Sequence, residues 1–378
     1  MKYLPVLLLL ILFPLPACGE DALSLHVDSC VDALPLDGLS LALKEVFSDP
    51  DALRLMIAKL ANGEAVMDAG ALWQKAKSML LSALFDVLET MPSLLLPMAV
   101  LSALPLWDRG RPASSFRAAH QGCLVMLCAA LSVALRDQAQ LCLHAVARMA
   151  SVIQGLFPLL LTLMSAVGST ASAALYQPVL TAAGGTLITF LHTVILPLAI
   201  SSGAVTVLDA LSGRMDLSPL AALMRKGAVW FMGAAFTFFL SVTALRNVTH
   251  ALRDGISIRA AKYAADHLVP VVGGMVADTM DALVGAALLV KNALGVTGLC
   301  GLALLTLPSL ARCLFTALLY KVLAVFAALI AREPLGGLMH RFSQTVTLFF
   351  AIQLAVMLLF FLLTAQLLSA GNLIVMLR

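Results

Sequence analysis

Runs of eighteen or more residues without a charged side chain recur along this chain, and they restrict its fold more than any motif does. They cover residues 90–107, 118–135, 149–175, 179–208, 227–245, 292–311 and 342–377; one more, 313–331, is interrupted only by Lys321. Each can cross a hydrocarbon core, which takes roughly 20 helical residues. In lipid, backbone groups must find their hydrogen bonds within their own segment, so these windows read as helices. Charged residues make up 12% of the 378 and apolar ones 61%. Soluble domains carry roughly a quarter of their residues as charges. A chain this poor in charge cannot coat a water-facing surface, which excludes a soluble enzyme and a disordered chain alike. The expected fold class is an all-α polytopic membrane protein with seven or eight transmembrane helices, residues 268–290 being a possible extra or re-entrant element.

The chain opens with Lys2, an apolar run from Leu4 to Leu12, Pro14, Pro16 and small residues. That is the three-part form of a secretory signal peptide, and the run is short for a membrane span. Ala17-Cys18-Gly19 fits cleavage before Glu20, whereas Leu15-Pro16-Ala17-Cys18 loosely fits a lipoprotein box that would leave a lipidated Cys18. An uncleaved anchor is a third option. The expected domains are a signal peptide over 1–19, a small acidic helical extracytoplasmic region over 20–80, and a transmembrane helical domain over 81–378.

Residues 20–78 hold ten acids and five bases, residues 79–378 eighteen bases and eleven acids, so the two parts belong in different surroundings. The mild overall basicity reflects membrane topology and makes no case for nucleic acid. Within the acidic region, Ser48-Asp49-Pro50-Asp51 signals a helix start. Leu53, Ile57 and Leu60 follow at helical spacing, and Asn62-Gly63 marks the stop. A further helix starts near Ala69. About sixty residues with few aromatics bury too little surface to stand alone, so this region should lean on the membrane domain or a partner. With it outside, the inside loops 108–117, 176–178, 246–291 and 332–341 carry ten Lys and Arg. The outside positions (136–148, 209–226, Arg312 and Arg378) carry seven, in agreement with the positive-inside rule. The basic stretch 246–267 reads as an interfacial helix.

Ionisable groups inside apolar segments cost about 2.5–3.5 kcal/mol each on insertion scales and need a reason. The candidates are Asp278 and Asp281, three apart on one helix face, then Lys291 and Asn292, His192 beside Pro197, and Lys321 in the centre of its window. Functionally they would form a polar path for ions, solute or protons. Structurally, the two aspartates would sit at a membrane surface while Lys291 snorkels or caps a broken helix. Small-residue clusters, among them Gly184-Gly185 and the series Gly295, Gly298 and Gly301, suit close helix packing. The cysteines form no CxxC pair and no zinc spacing, and read as small apolar packing residues. No hydrolase elbow, HExxH, P-loop or dinucleotide turn occurs, so neither catalysis nor a cofactor is expected.

Residues 256–298 carry a more specific signal. Ile256-Ser257-Ile258-Arg259-Ala260-Ala261-Lys262, Val269-Pro270-Val271-Val272-Gly273-Gly274-Met275, Ala277-Asp278-Thr279 and Leu289-Val290-Lys291-Asn292-Ala293-Leu294-Gly295 resemble the stage III sporulation protein AE family. Pro334-Leu335-Gly336-Gly337 and the closing Ala370-to-Arg378 stretch are similar to the same family, and the likeness covers about residues 150–378. It implies an endospore-forming bacterium and a place in the mother-cell membrane around the forespore. The partners it implies are the other membrane and ring proteins of the mother cell–forespore apparatus, including a cytoplasmic ATPase. On this basis the chain is expected to form or gate part of the membrane passage. Two alternatives are a scaffold without a conduction path and an ion-coupled transporter. The resemblance brings no catalytic residues.

Overall fold

The computed structural model describes residues 21–47, 50–64, 69–103, 113–167, 173–174, 176–178, 182–212, 216–241, 273–330 and 335–376. The expected signal peptide, the interfacial stretch 246–267 and all of residues 256–272 of the motif block lie outside these residues. Every regular element among them is helical. Three short helices come first: α1 (Asp21–Asp32), α2 (Asp37–Ala42) and α3 (Pro50–Ala61). The long ones follow: α4 (Ala69–Ala103), α5 (Ala113–Ala166), α6 (Leu196–Ser212), α7 over 218–241, α8 (Gly273–Ile330) and α9 (Leu335–Met376).

Local chemistry accounts for several boundaries. α3 starts at Pro50, as the capping pattern predicts, and ends on Gly63, whose φ of 78° is the left-handed conformation that side chains oppose. The Gly63 and Glu64 N–H groups then return to the Leu60 and Lys59 carbonyls at 3.3 and 2.9 Å, closing the last turn. π-Helical turns Ala182–Leu187 and Leu191–Ile195 lead into α6. The second lies just before Pro197, whose missing N–H and bulky ring disturb the ladder one turn back.

Among the described residues five helices are long and apolar enough to cross a membrane: Trp73–Leu101, Ala118–Ala166, Gly185–Ser212, Ala282–Leu329 and Leu335–Ser369. The expected seven or eight differ mainly because two pairs of windows are single helices. α5 runs unbroken for 54 residues through the 136–148 stretch expected as a loop. α8 runs for 58 through Arg312, expected between two spans. The reason is physical. A charged residue ends an apolar window, but Arg, Lys and Gln are good helix formers and do not end a helix. Pro92, Pro97, Pro158 and Pro308 also lie inside continuous helices.

α8 and α9 run antiparallel, with Tyr320 edge-on to Phe342 at 4.8 Å near their junction and Gly295 beneath Leu368 at the far end. α5 lies antiparallel to α8, with Leu156 over Gly298 and Gln138 bonded to Thr316. Small residues set these approaches, because a Cβ at Gly298 would lie 2.6 Å from the Leu156 side chain. At the end bearing Gly295, here the upper end, α1–α3 pack on the long helices. Val27, Val31, Leu36, Leu39, Leu43, Leu53 and Ile57 share one buried core with them. A Cβ at Gly155 would come 3.1 Å from the Leu39 backbone, so α2 rests directly on α5. The described part of the acidic stretch thus packs on the long helices.

Candidate functional site: a buried polar seam

The six sequence candidates do not converge on one place. Lys291 is fully buried in α8, and its Nζ donates to the Leu368 carbonyl of α9 at 2.9 Å. Among the described residues no carboxylate lies within ion-pair distance of it. Asn292 is next in the chain, half-buried, with its Oδ1 enclosed and unpaired. Asp278 and Asp281 are in the first turns of α8, with side chains outside the described residues; about 15 Å of helix separates Asp281 from Lys291. His192 is half-buried in the π-helical turn before α6. Lys321 is exposed, about 45 Å along α8 from Lys291. Only Lys291 and Asn292 therefore stand together as a buried pair.

The structure assembles a different cluster midway along the bundle. Ser309 donates to Gln353 Oε1 at 2.8 Å, and Gln353 Nε2 donates to the Cys313 sulfur at 3.1 Å. The Cys313 thiol donates to Gln138 Oε1 at 3.3 Å, and Gln138 Nε2 donates to the Thr316 hydroxyl at 3.2 Å. Thr316 passes its own proton to the Arg312 carbonyl at 2.7 Å. Both side-chain amides thus use their donor and acceptor ends, and the chain of bonds ties α5, α8 and α9 together. Cys142 joins the same level, its thiol 3.8 Å from the Phe349 carbonyl. Cys128, Cys142 and Cys313 are buried between helices, which matches the packing role expected of them.

A second lock lies near the lower end. Asp209 of α6 is nearly enclosed, pairs with Arg341 of α9 at 3.1 Å, and accepts the Leu217 N–H at 2.6 Å. Arg225 of α7 donates to the Arg341 carbonyl at 3.0 Å. At the start of α7, exposed Asp216 accepts both the hydroxyl and the N–H of Ser218, which holds its carboxyl below the usual range. The α6–α7 hairpin is thereby fastened to the start of α9.

Searching for ionisable residues missed these clusters because their key members are neutral or sit beside expected loops. Gln353 stands alone among apolar residues within the longest uncharged window, and Gln138 follows Arg136-Asp137. An amide in an apolar helix is the signal that could have found them, since its two polar ends need partners. Chemically, the glutamine cluster has spent its hydrogen bonds on helix contacts, and in the second lock Arg341 Nε is enclosed and unpaired. Among the described residues no group of three or more His, Cys, Asp or Glu side chains could hold a metal ion.

The comparisons fit this architecture. A family model described as stage III sporulation protein AE matches residues 52–371, reaching well beyond the part whose motifs are recognisable by eye. The stage III sporulation protein AE of Bacillus subtilis (strain 168) is 30% identical over 235 residues, covering 62% of this chain and 59% of the relative. No solved structure matches. With most of its helical bundle inside the matched region, the chain belongs to the stage III sporulation protein AE family.

Proposed function

We propose that this protein is a membrane scaffold of the mother cell–forespore apparatus, residing in the mother-cell membrane around the forespore. On this reading it holds the other membrane and ring proteins and the cytoplasmic ATPase in place, and it has no catalytic role. The carrying observation is the use made of the interior polar groups. Gln138, Ser309, Cys313, Thr316 and Gln353 bond to one another across three helices, and Lys291 bonds to a helix carbonyl. Groups lining an aqueous path would keep donors and acceptors turned to water; these are enclosed in packing.

A second reading has its own observation. α5 exposes Ser151, Gln154, Thr162 and Ser165 along one face, which could line a passage formed between copies or against a partner.

The test is deletion of the gene in its host, followed by forespore-specific transcription after engulfment. Wild type should restore it. Under the scaffold reading, Gln353→Leu lowers protein amount and transcription together, and Ser151→Trp or Thr162→Trp leaves both near normal. Normal protein amount with lost transcription in the tryptophan variants would favour the passage. A deletion strain with normal forespore transcription would overturn both.

A further inference from the structure

Helices of 54 and 58 residues are nearly three times longer than a hydrocarbon core is thick, so a bilayer can enclose only part of them. The exposed faces show which part. On the lower stretch of α5, Val125, Met126 and Val133 protrude, each more than half exposed. On the upper stretch of the same helix the exposed side chains become Ser151, Gln154, Thr162 and Ser165. α4 changes in the same sense, from Leu95 and Leu96 below to Gln74, Lys77 and Ser78 above, beside an exposed Trp73. α8 exposes Phe326 and Leu329 below.

On α5 and α8 the change falls at one level, which α4 marks with a charge. Asp86 of α4 lies 3.8 Å from Arg312 of α8, and both are substantially exposed. Exposed Arg136 and Asp137 of α5 flank Gln138, which reaches Thr316 one turn from Arg312. Below that belt residues 118–135 of α5 carry no charge, giving roughly 27 Å of helix, close to the thickness of a hydrocarbon core. Above it, the faces of α5 and α8 are covered by α1–α3, which expose Asp28, Asp32 and Asp37. Those carboxylates could not follow the long helices into lipid.

We infer that the bilayer encloses only the lower half of the bundle, acyl chains covering this apolar band. The upper half stands outside as a water-exposed stalk sheathed by α1–α3. Residues 149–166 and 292–311, each within an expected span, then form the stalk's core. Within the band Lys321 of α8 and Glu89 of α4 are charged and exposed; Glu89 lies one turn below the Asp86 belt, and the long stem of Lys321 lets its ammonium snorkel towards the headgroups. Exposed apolar side chains also occur on the stalk: Leu358 and Leu362 of α9, Leu283 of α8, and Leu81 and Phe85 of α4. The inference rests on the membrane reading and not on the sporulation role.

The full chain, with Cys30, Cys123 and Cys300 replaced by serine, is reconstituted into phosphatidylglycerol–phosphatidylethanolamine vesicles carrying a charged maleimide on both sides. Thr162→Cys and Gln154→Cys should label freely, and Val125→Cys and Val133→Cys at least about tenfold more slowly, as expected inside a hydrocarbon layer. Because those backgrounds can fold poorly, Thr162→Lys and Val133→Lys are compared in the otherwise native chain. The first should accumulate like wild type in membranes and the second should be largely lost. Protection at Thr162 to the degree seen at Val133, or equal labelling at both, overturns the inference. So does loss of Thr162→Lys as severe as that of Val133→Lys.

Discussion

At the scale of single residues, Lys291 is the test of whether buried polarity here is structural. Its ammonium has a carbonyl for a partner and no carboxylate among the described residues, so burial is only partly compensated. The Leu368 carbonyl also lies within a helix whose own N–H groups can serve it. Lys291→Met should therefore keep, or raise, the melting temperature of the detergent-solubilised protein. Lys291→Ala should lower it, because emptying a large enclosed side-chain site costs about 2–5 kcal/mol. Gln353→Leu breaks bonds to Ser309 and Cys313, and interhelical bonds in membranes are worth about 0.6 to 1.7 kcal/mol each. Adding Gln138→Leu should cost less than the two single losses combined, since both amides share Cys313. Thermal melts of the single and double variants check this coupling. Lys291 was legible in the sequence because an isolated charge is conspicuous among apolar residues. The glutamine cluster was not, because its meaning depends on partners 175 and 40 residues away.

At the scale of elements, glycines decide how near the helices lie. Gly298→Ala places a methyl 2.6 Å from Leu156 and should destabilise the α5–α8 contact by about 1–3 kcal/mol. Leu156→Ala in the same chain should recover part of that, measured as melting temperature or as the amount of folded protein in membranes. Gly63→Ala should loosen the end of α3 by about 1 kcal/mol, read as faster proteolysis after Lys59 or Lys75, because its φ of 78° disfavours a side chain. The third small helix was legible almost to the residue, because Pro50 and Gly63 mark its ends as their chemistry predicts, and the start of α4 near Ala69 was expected too; α1 and α2 carried no such signals. The long ones were not. Arg136, Asp137 and Arg312 end apolar windows, yet each sits comfortably on the exposed side of a continuous helix, where no local rule requires a break.

At the scale of the whole molecule, the uncharged windows together with composition pointed to an all-helical membrane class, and every regular element among the described residues is helical. The family emerged from short motifs between Ile256 and Gly295, and the match extends from residue 52 to 371. The packing of α1–α3 against α5 and α8 could not be read from local sequence, since it depends on Leu39 meeting Gly155 and Leu43 meeting Gly301 over long separations. The picture that results is a bundle whose interior polar groups lock helices together, and the scaffold role proposed above rests on it. Forespore-specific transcription in a deletion strain carrying Lys291→Met tests this most directly. Wild-type amounts of protein in the membrane and restored transcription are expected. Wild-type amounts without restored transcription would contradict the scaffold role and make the buried ammonium part of the working machinery.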